Sequence, residues 1–139
     1  MGETKTFQAN MSELDAMKEY LLEQADVYFT DKKFRLRLEL SLEEILVNII
    51  NYAYPGGNGT VELRFHYERV PKKMCFDISD SGRPYNPLKN KKEFDMETDL
   101  KDREIGGLGI FLYTKIMDTV SYEYKNNKNC LHICKKLPD

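Results

Sequence analysis

Three short groups of residues in this 139-residue chain are of types and spacings suited to binding chemistry. Gly106-Gly107-Leu108-Gly109 stands immediately before a helical pattern that begins at Ile110, where unpaired backbone N–H groups and the positive end of the helix dipole favour a phosphate. The loop lacks the Lys and Ser or Thr of a Walker loop and is not a GxGxxG dinucleotide fingerprint. Asp80-Ser81-Gly82 follows an apolar run, Met74 to Ile78, at the point where a chain leaving a sheet brings polar groups to a crevice. A carboxylate there can accept a hydrogen bond from a ligand amino group, and Gly82 lets the backbone approach a flat ring or adopt positive φ. Glu44 and Asn48 are four residues apart and so project from one side of a helix. Each group has a plainer reading beside it: a solvent-facing pair, a routine hairpin turn, a bare glycine turn.

The elements that must hold these groups follow from periodicity. Thr4 to Ala9 suits a short edge strand, and Ser12 is placed to cap a helix from Glu13, whose Leu14, Met17, Leu21 and Ala25 form one stripe. Thr30 and Asp31 offer a break and a fresh cap. Phe34 to Leu42 alternates as a strand would, with the helical pattern prevailing beyond Leu38 and ending near Pro55. In that helix Leu38, Leu42, Ile45, Ile49 and Ala53 fall within an arc of about 80°. That arc centres near 140° from Glu44, so polar and apolar faces divide. Gly56-Gly57-Asn58-Gly59 marks a turn into a hairpin made of Val61 to Tyr67 and, after Pro71, Met74 to Ile78. Residues 81–105 are rich in Pro, Asn, Lys and Asp without periodicity, which suits a functional lid. A helix over 110–117 and a closing hairpin around Asn126-Asn127-Lys128-Asn129 complete the chain. The expected fold is an α+β two-layer sandwich, with a mixed, mostly antiparallel sheet carrying helices on one face, as one domain over residues 1–139.

Composition narrows the function classes. With 41% hydrophobic and 32% charged residues the chain suits an ordinary globular core, and a net charge of -2 gives no cationic field for nucleic acid or an anionic membrane. No leader pattern or bilayer-spanning apolar run is evident, so a cytoplasmic location is expected. Cys75, Cys130 and Cys134 contain no CxxC pair, and Cys130 and Cys134 on one strand would lie roughly 13 Å apart, too far to bridge. They read as packing residues in a reducing compartment. His66 and His132 both fall in predicted strands and read as ordinary sheet residues.

Taken in order, Glu44-x-x-x-Asn48, Asp80-x-Gly82 and Gly106-Gly107-Leu108-Gly109 resemble the N, G1 and G2 boxes of the Bergerat ATPase superfamily. More narrowly, SLEEILVNIINYAYPGG, DISDSGRPYNPL and GGLGIFLYTKIMD resemble the anti-sigma factor serine kinases, over nearly the whole chain. The resemblance implies that Asn48 helps coordinate Mg²⁺ bridging the phosphates of ATP, and that Glu44 is the general base acting on a Ser or Thr hydroxyl or a water. It further implies that Asp80 reads the adenine amino group with Gly82 admitting the ring. Gly106, Gly107, Leu108 and Gly109 would then meet the phosphates, and Arg83 to Ile105 would form an ATP lid in which Arg103 is a solvated charge or a phosphate contact. Arg83 and Pro84 follow Gly82 where the stricter superfamily pattern has a second glycine, a variant that suits the anti-sigma subgroup. Asn51 and Tyr52 stand where some relatives carry basic or histidine side chains.

The function implied is an ATP- and Mg²⁺-dependent serine/threonine protein kinase that phosphorylates an anti-anti-sigma antagonist and sequesters a sigma factor, working as a homodimer. The alternatives are a nucleotide-gated binding module without phosphotransfer and the catalytic domain of a histidine kinase. For the latter the chain shows no helix pair bearing a phosphoacceptor.

Overall fold

Val61, Leu63 and Phe65, and Met74, Phe76 and Ile78, alternate with polar residues, and in the computed structural model they lie on adjacent strands whose inner faces form the core. The structure describes residues 3–88 and 113–138. Its elements are β1 (Thr4–Gln8), a 3₁₀ turn (Met11–Glu13), α1 (Leu14–Asp26), α2 (Lys32–Tyr52), β2 (Thr60–Arg69), β3 (Lys72–Asp80), β4 (Thr119–Lys125) and β5 (Lys128–Lys136). Residues 113–116 are helical. The strands form one sheet in the order β1-β2-β3-β5-β4. Among the described residues every pairing is antiparallel, in keeping with the mostly antiparallel sheet expected.

Both long helices pack their apolar stripes on one face of the sheet. Leu14, Met17, Leu21, Leu22 and Ala25 of α1 and Phe34, Leu38, Leu42, Ile45 and Leu46 of α2 join Val61, Leu63, Phe76, Ile78 and Ile133 in one buried cluster. Lys18 of α1 ties the helices together, with its Nζ 2.7 Å from Glu43 and 3.5 Å from Glu39. Removing these apolar side chains from water supplies the main driving force for the two-layer arrangement.

The helix boundaries differ from the sequence reading in two places. Ser12 does not cap α1; its hydroxyl bonds to the Asn10 side chain, and the chain enters α1 through the 3₁₀ turn. The strand-like alternation from Phe34 is helical from Lys32 onward, because Asp31 accepts a hydrogen bond from the Phe34 N–H at 3.0 Å and starts α2 there. Phe34 then packs edge-on against Phe29, while Leu36 and Leu40 remain exposed.

The closing hairpin turns through Asn126 and Asn127, with φ of 54° and 62°, the left-handed pair that a two-residue type I′ turn requires and that Asn tolerates. Asn129 therefore belongs to β5, opposite Asp80 of β3. The cysteines also depart from expectation. Cys75 and Cys134 are not independent packing residues but are bonded as a disulfide, and Cys130 is free. Spacing along one strand cannot reveal this pairing, because the partners are 59 residues apart and meet only through the β3–β5 register.

Candidate functional site

The site is built where the C-terminal half of α2 passes over the end of β3. The last two turns of α2 place Ile45, Asn48, Ile49 and Tyr52, with the C-cap Ala53, along a cavity of about 450 Å³, a size that admits a small organic ligand. Its other wall includes Ile78 and Asp80 from β3, Tyr122 from β4, Asn129 and Leu131 from β5, and Tyr113. Arg83 to Tyr85 and Pro87 line the remaining side.

Glu44 and Asn48 are together as their spacing requires, with the Asn48 Nδ2 donating to Glu44 Oε2 at 2.8 Å. This turns the Asn48 amide oxygen away from Glu44, and among the described residues nothing donates to it. Burial raises the Glu44 pKa above the ordinary glutamate range; the bond from Asn48 opposes the shift and the negative charge of Glu43 adds to it. The two adjacent glutamates are thereby distinguished, since Glu43 is engaged by Lys18 and Glu44 by the amide on the cavity side.

Asp80, 5% exposed, closes β3. Its Oδ1 accepts from the Gly82 N–H and from Asn129 Nδ2, each at 2.9 Å, while Oδ2 has no donor among the described residues. Burial raises the Asp80 pKa, and those two donors hold it down in part. Asn129, itself 7% exposed, clamps the segment beyond Asp80: its Nδ2 also donates to the Arg83 carbonyl at 3.0 Å. Its Oδ1 accepts from the Tyr85 N–H at 3.0 Å and from the Tyr122 hydroxyl.

Gly82 is required by close approach to protein, not by positive φ. A Cβ at this position would lie 2.3 Å from the Ala53 carbonyl oxygen and 2.6 Å from the Ala53 Cβ. The same contact lets the Arg83 N–H donate to the Ala53 carbonyl at 3.0 Å, and the Arg83 side chain donates to the Tyr52 carbonyl at 3.0 Å. Gly82→Ala is expected to force the chain off the end of α2, at a cost of about 1–3 kcal/mol. Denaturant unfolding should show a lower midpoint at unchanged slope.

Tyr54 braces the same corner, donating to the Thr60 carbonyl at 2.6 Å and accepting from the Ser81 N–H at 2.7 Å. Tyr113 is nearly fully buried, and its hydroxyl has no hydrogen-bond partner among the described residues. Burial, chiefly, drives its pKa upward, with smaller contributions from Tyr85 and Glu44.

Of the residues singled out from sequence, Glu44, Asn48, Asp80 and Gly82 thus converge on one corner. Gly106, Gly107, Leu108, Gly109 and Arg103 lie outside the described residues. Asn129 and Tyr113 were not anticipated. The only signal for Asn129 is its register position opposite Asp80, and Tyr113 sits unmarked in the apolar run after Gly109.

Over 93 residues the chain is 29% identical to the serine-protein kinase RsbW of Listeria monocytogenes serovar 1/2a, a match spanning 63% of this chain and 57% of the relative. It is 26% identical over 86 residues to the serine-protein kinase RsbW of Staphylococcus aureus strain JH9, spanning 60% and 54%. The chain thus spans just over half the length of these curated relatives. Among solved structures, the histidine kinase AdeS of Acinetobacter baumannii superposes with a TM-score of 0.49 at 18% identity, covering 99% of this chain and 68% of the other. The profile of the histidine kinase-like ATPase domain matches residues 7–135. The chain belongs to the histidine kinase-like ATPase domain family.

Proposed function

We propose that the protein is an ATP- and Mg²⁺-dependent serine/threonine protein kinase of the anti-sigma regulatory type. In this reading it phosphorylates an anti-anti-sigma antagonist, sequesters a sigma factor when unphosphorylated antagonist is scarce, and works as a homodimer in the cytoplasm. The observation that carries the reading is the Glu44–Asn48 pair standing beside a cavity whose far wall ends in buried Asp80. Among the described residues no helix is long and apolar enough to cross a membrane.

The side chains present suit the nucleotide and its cation. The Tyr113 hydroxyl and Asp80 Oδ2, neither with a partner among the described residues, are open hydrogen-bonding groups in a largely apolar lining, a pattern that suits a flat heterocycle with few polar edges. In the proposed complex, Asp80 accepts from the adenine amino group through Oδ2, while Asn129 and the Gly82 N–H fix its Oδ1. Asn48 offers an amide oxygen, the hard donor that Mg²⁺ prefers, and its amide N–H is already committed to Glu44. When bound, the cation neutralises developing charge on the phosphates.

Glu44 acts as general base toward the substrate hydroxyl. Its burial-raised pKa makes it a better proton acceptor than an exposed glutamate. The bond from Asn48 fixes the carboxylate, so base and cation ligand are oriented together. Gly106, Gly107, Leu108 and Gly109 are assigned to the phosphates, and the segment containing Arg103 to the lid.

The test is calorimetric titration with ATP and ADP, with and without Mg²⁺, followed by transfer from labelled ATP to a purified anti-anti-sigma protein. Magnesium-dependent binding with a labelled substrate serine is expected. Binding without transfer would overturn the kinase assignment in favour of a nucleotide-gated binding module.

A further inference from the structure

The face of the sheet opposite the helices holds a cluster that the kinase reading does not use. His66, Cys75 and Cys134 occupy one row across β2, β3 and β5, each in register with the next. Asp77 and His132 pair in the adjoining row. Cys75 and Cys134 are 0% and 1% exposed, whereas His66, Asp77 and His132 are partly open to solvent and give the cluster a mouth.

The orientation of His132 is the telling feature. Its Nδ1 bonds to Asp77 Oδ1, and its Nε2 lies 3.0 Å from Cys134 Sγ. A carboxylate on Nδ1 fixes the tautomer that leaves the Nε2 lone pair free, and that lone pair faces the cysteines. Asp77 holds a second imidazole as well, with its Oδ2 3.4 Å from His66 Nε2. The donor atoms of Cys75, His132 and Cys134 lie within 4.8 Å of one another. A disulfide needs neither imidazole nor carboxylate beside it. A borderline-soft cation can use all three kinds of group: thiolates and an imidazole nitrogen as ligands, and a carboxylate behind the imidazole to orient it.

We propose that the reduced chain binds Zn²⁺ through Cys75 Sγ, Cys134 Sγ and His132 Nε2, with Asp77 orienting His132 and water in the fourth position. The disulfide is the metal-free, oxidised alternative of the same site. Reduction by a trialkylphosphine breaks the Cys75–Cys134 bond with two electrons from phosphorus, giving two thiols from water protons and leaving the water oxygen on the phosphine oxide. Each thiol then releases its proton when it ligates the cation.

The test uses the full chain, reduced with a phosphine under anaerobic conditions and freed of metal. It is titrated with Zn²⁺ against a chromophoric chelator, and with Co²⁺ as a spectral probe. Expected are about one equivalent bound, a thiolate-to-cobalt charge-transfer band and the intense visible bands of tetrahedral cobalt. Cys75→Ser and Cys134→Ser should abolish the band, and Cys130→Ser should keep it. Because the buried cysteine variants risk misfolding, the surface variants His132→Ala and Asp77→Asn are decisive, each weakening zinc roughly 10–100-fold with an unchanged circular dichroism spectrum. Any of three results would overturn the proposal: no zinc on the folded, reduced chain, cobalt bound without a thiolate band, or zinc affinity untouched by His132→Ala. None of these measurements depends on ATP binding or phosphotransfer.

Discussion

Glu44→Gln is expected to leave Mg²⁺-ATP binding nearly unchanged and to lower transfer to the protein substrate by roughly 10²–10⁴-fold, the range spanned by general-base catalysis. Glutamine keeps the side-chain shape and an oxygen for the Asn48 amide, so the bond that orders the corner survives while the proton acceptor is lost. Binding by calorimetry and transfer by single-turnover labelling separate the two effects. The wild-type pH profile supplies an independent check. The base must be ionised, and burial raises its pKa, so the rate should rise with pH through a midpoint above the ordinary glutamate range and then level off. A variant that transfers phosphate at the original rate would remove Glu44 from the mechanism.

Asn48→Ala should act at the other step. Losing the amide oxygen is expected to weaken ATP binding in Mg²⁺ by at least roughly 100-fold, about 2.8 kcal/mol, while binding measured in a chelator changes little. Equal losses with and without the cation would show that Asn48 contributes through the Glu44 contact or the cavity wall, both of which it also serves. Asn48→Asp sharpens the comparison: it keeps an oxygen ligand but gives up the amide N–H and sets a second carboxylate beside Glu44, so magnesium dependence should persist while transfer falls.

The two helix positions were legible because the 3.6-residue period fixes where residues four apart must point, whatever surrounds them. Asp80 was legible for a similarly local reason, as the polar residue that ends an apolar alternation. Asn129 was not, since its importance arises from facing Asp80 across two strands 49 residues apart in sequence. The Cys75–Cys134 pair escaped for the same reason. The start of α2 was obscured because Phe34, Leu36, Leu38, Leu40 and Leu42 satisfy a period of two. The cap offered at Asp31 decides between the two periods, its carboxylate accepting from the Phe34 N–H where the helix takes hold. At Gly82 the structure adds a reason for glycine that the sequence does not carry: the surface it must approach includes the carbonyl of Ala53, within the protein itself.

That last contact has a genetic meaning. The nearest atom to a side chain at position 82 would be a main-chain oxygen, 2.3 Å away, which every amino acid at position 53 would retain. Trimming residue 53 to glycine removes its Cβ and leaves the carbonyl where it was. Spontaneous revertants of Gly82→Ala should therefore restore glycine or shift the helix terminus through changes elsewhere in the 53–60 turn, and a suppressor screen should recover no compensating substitution at residue 53.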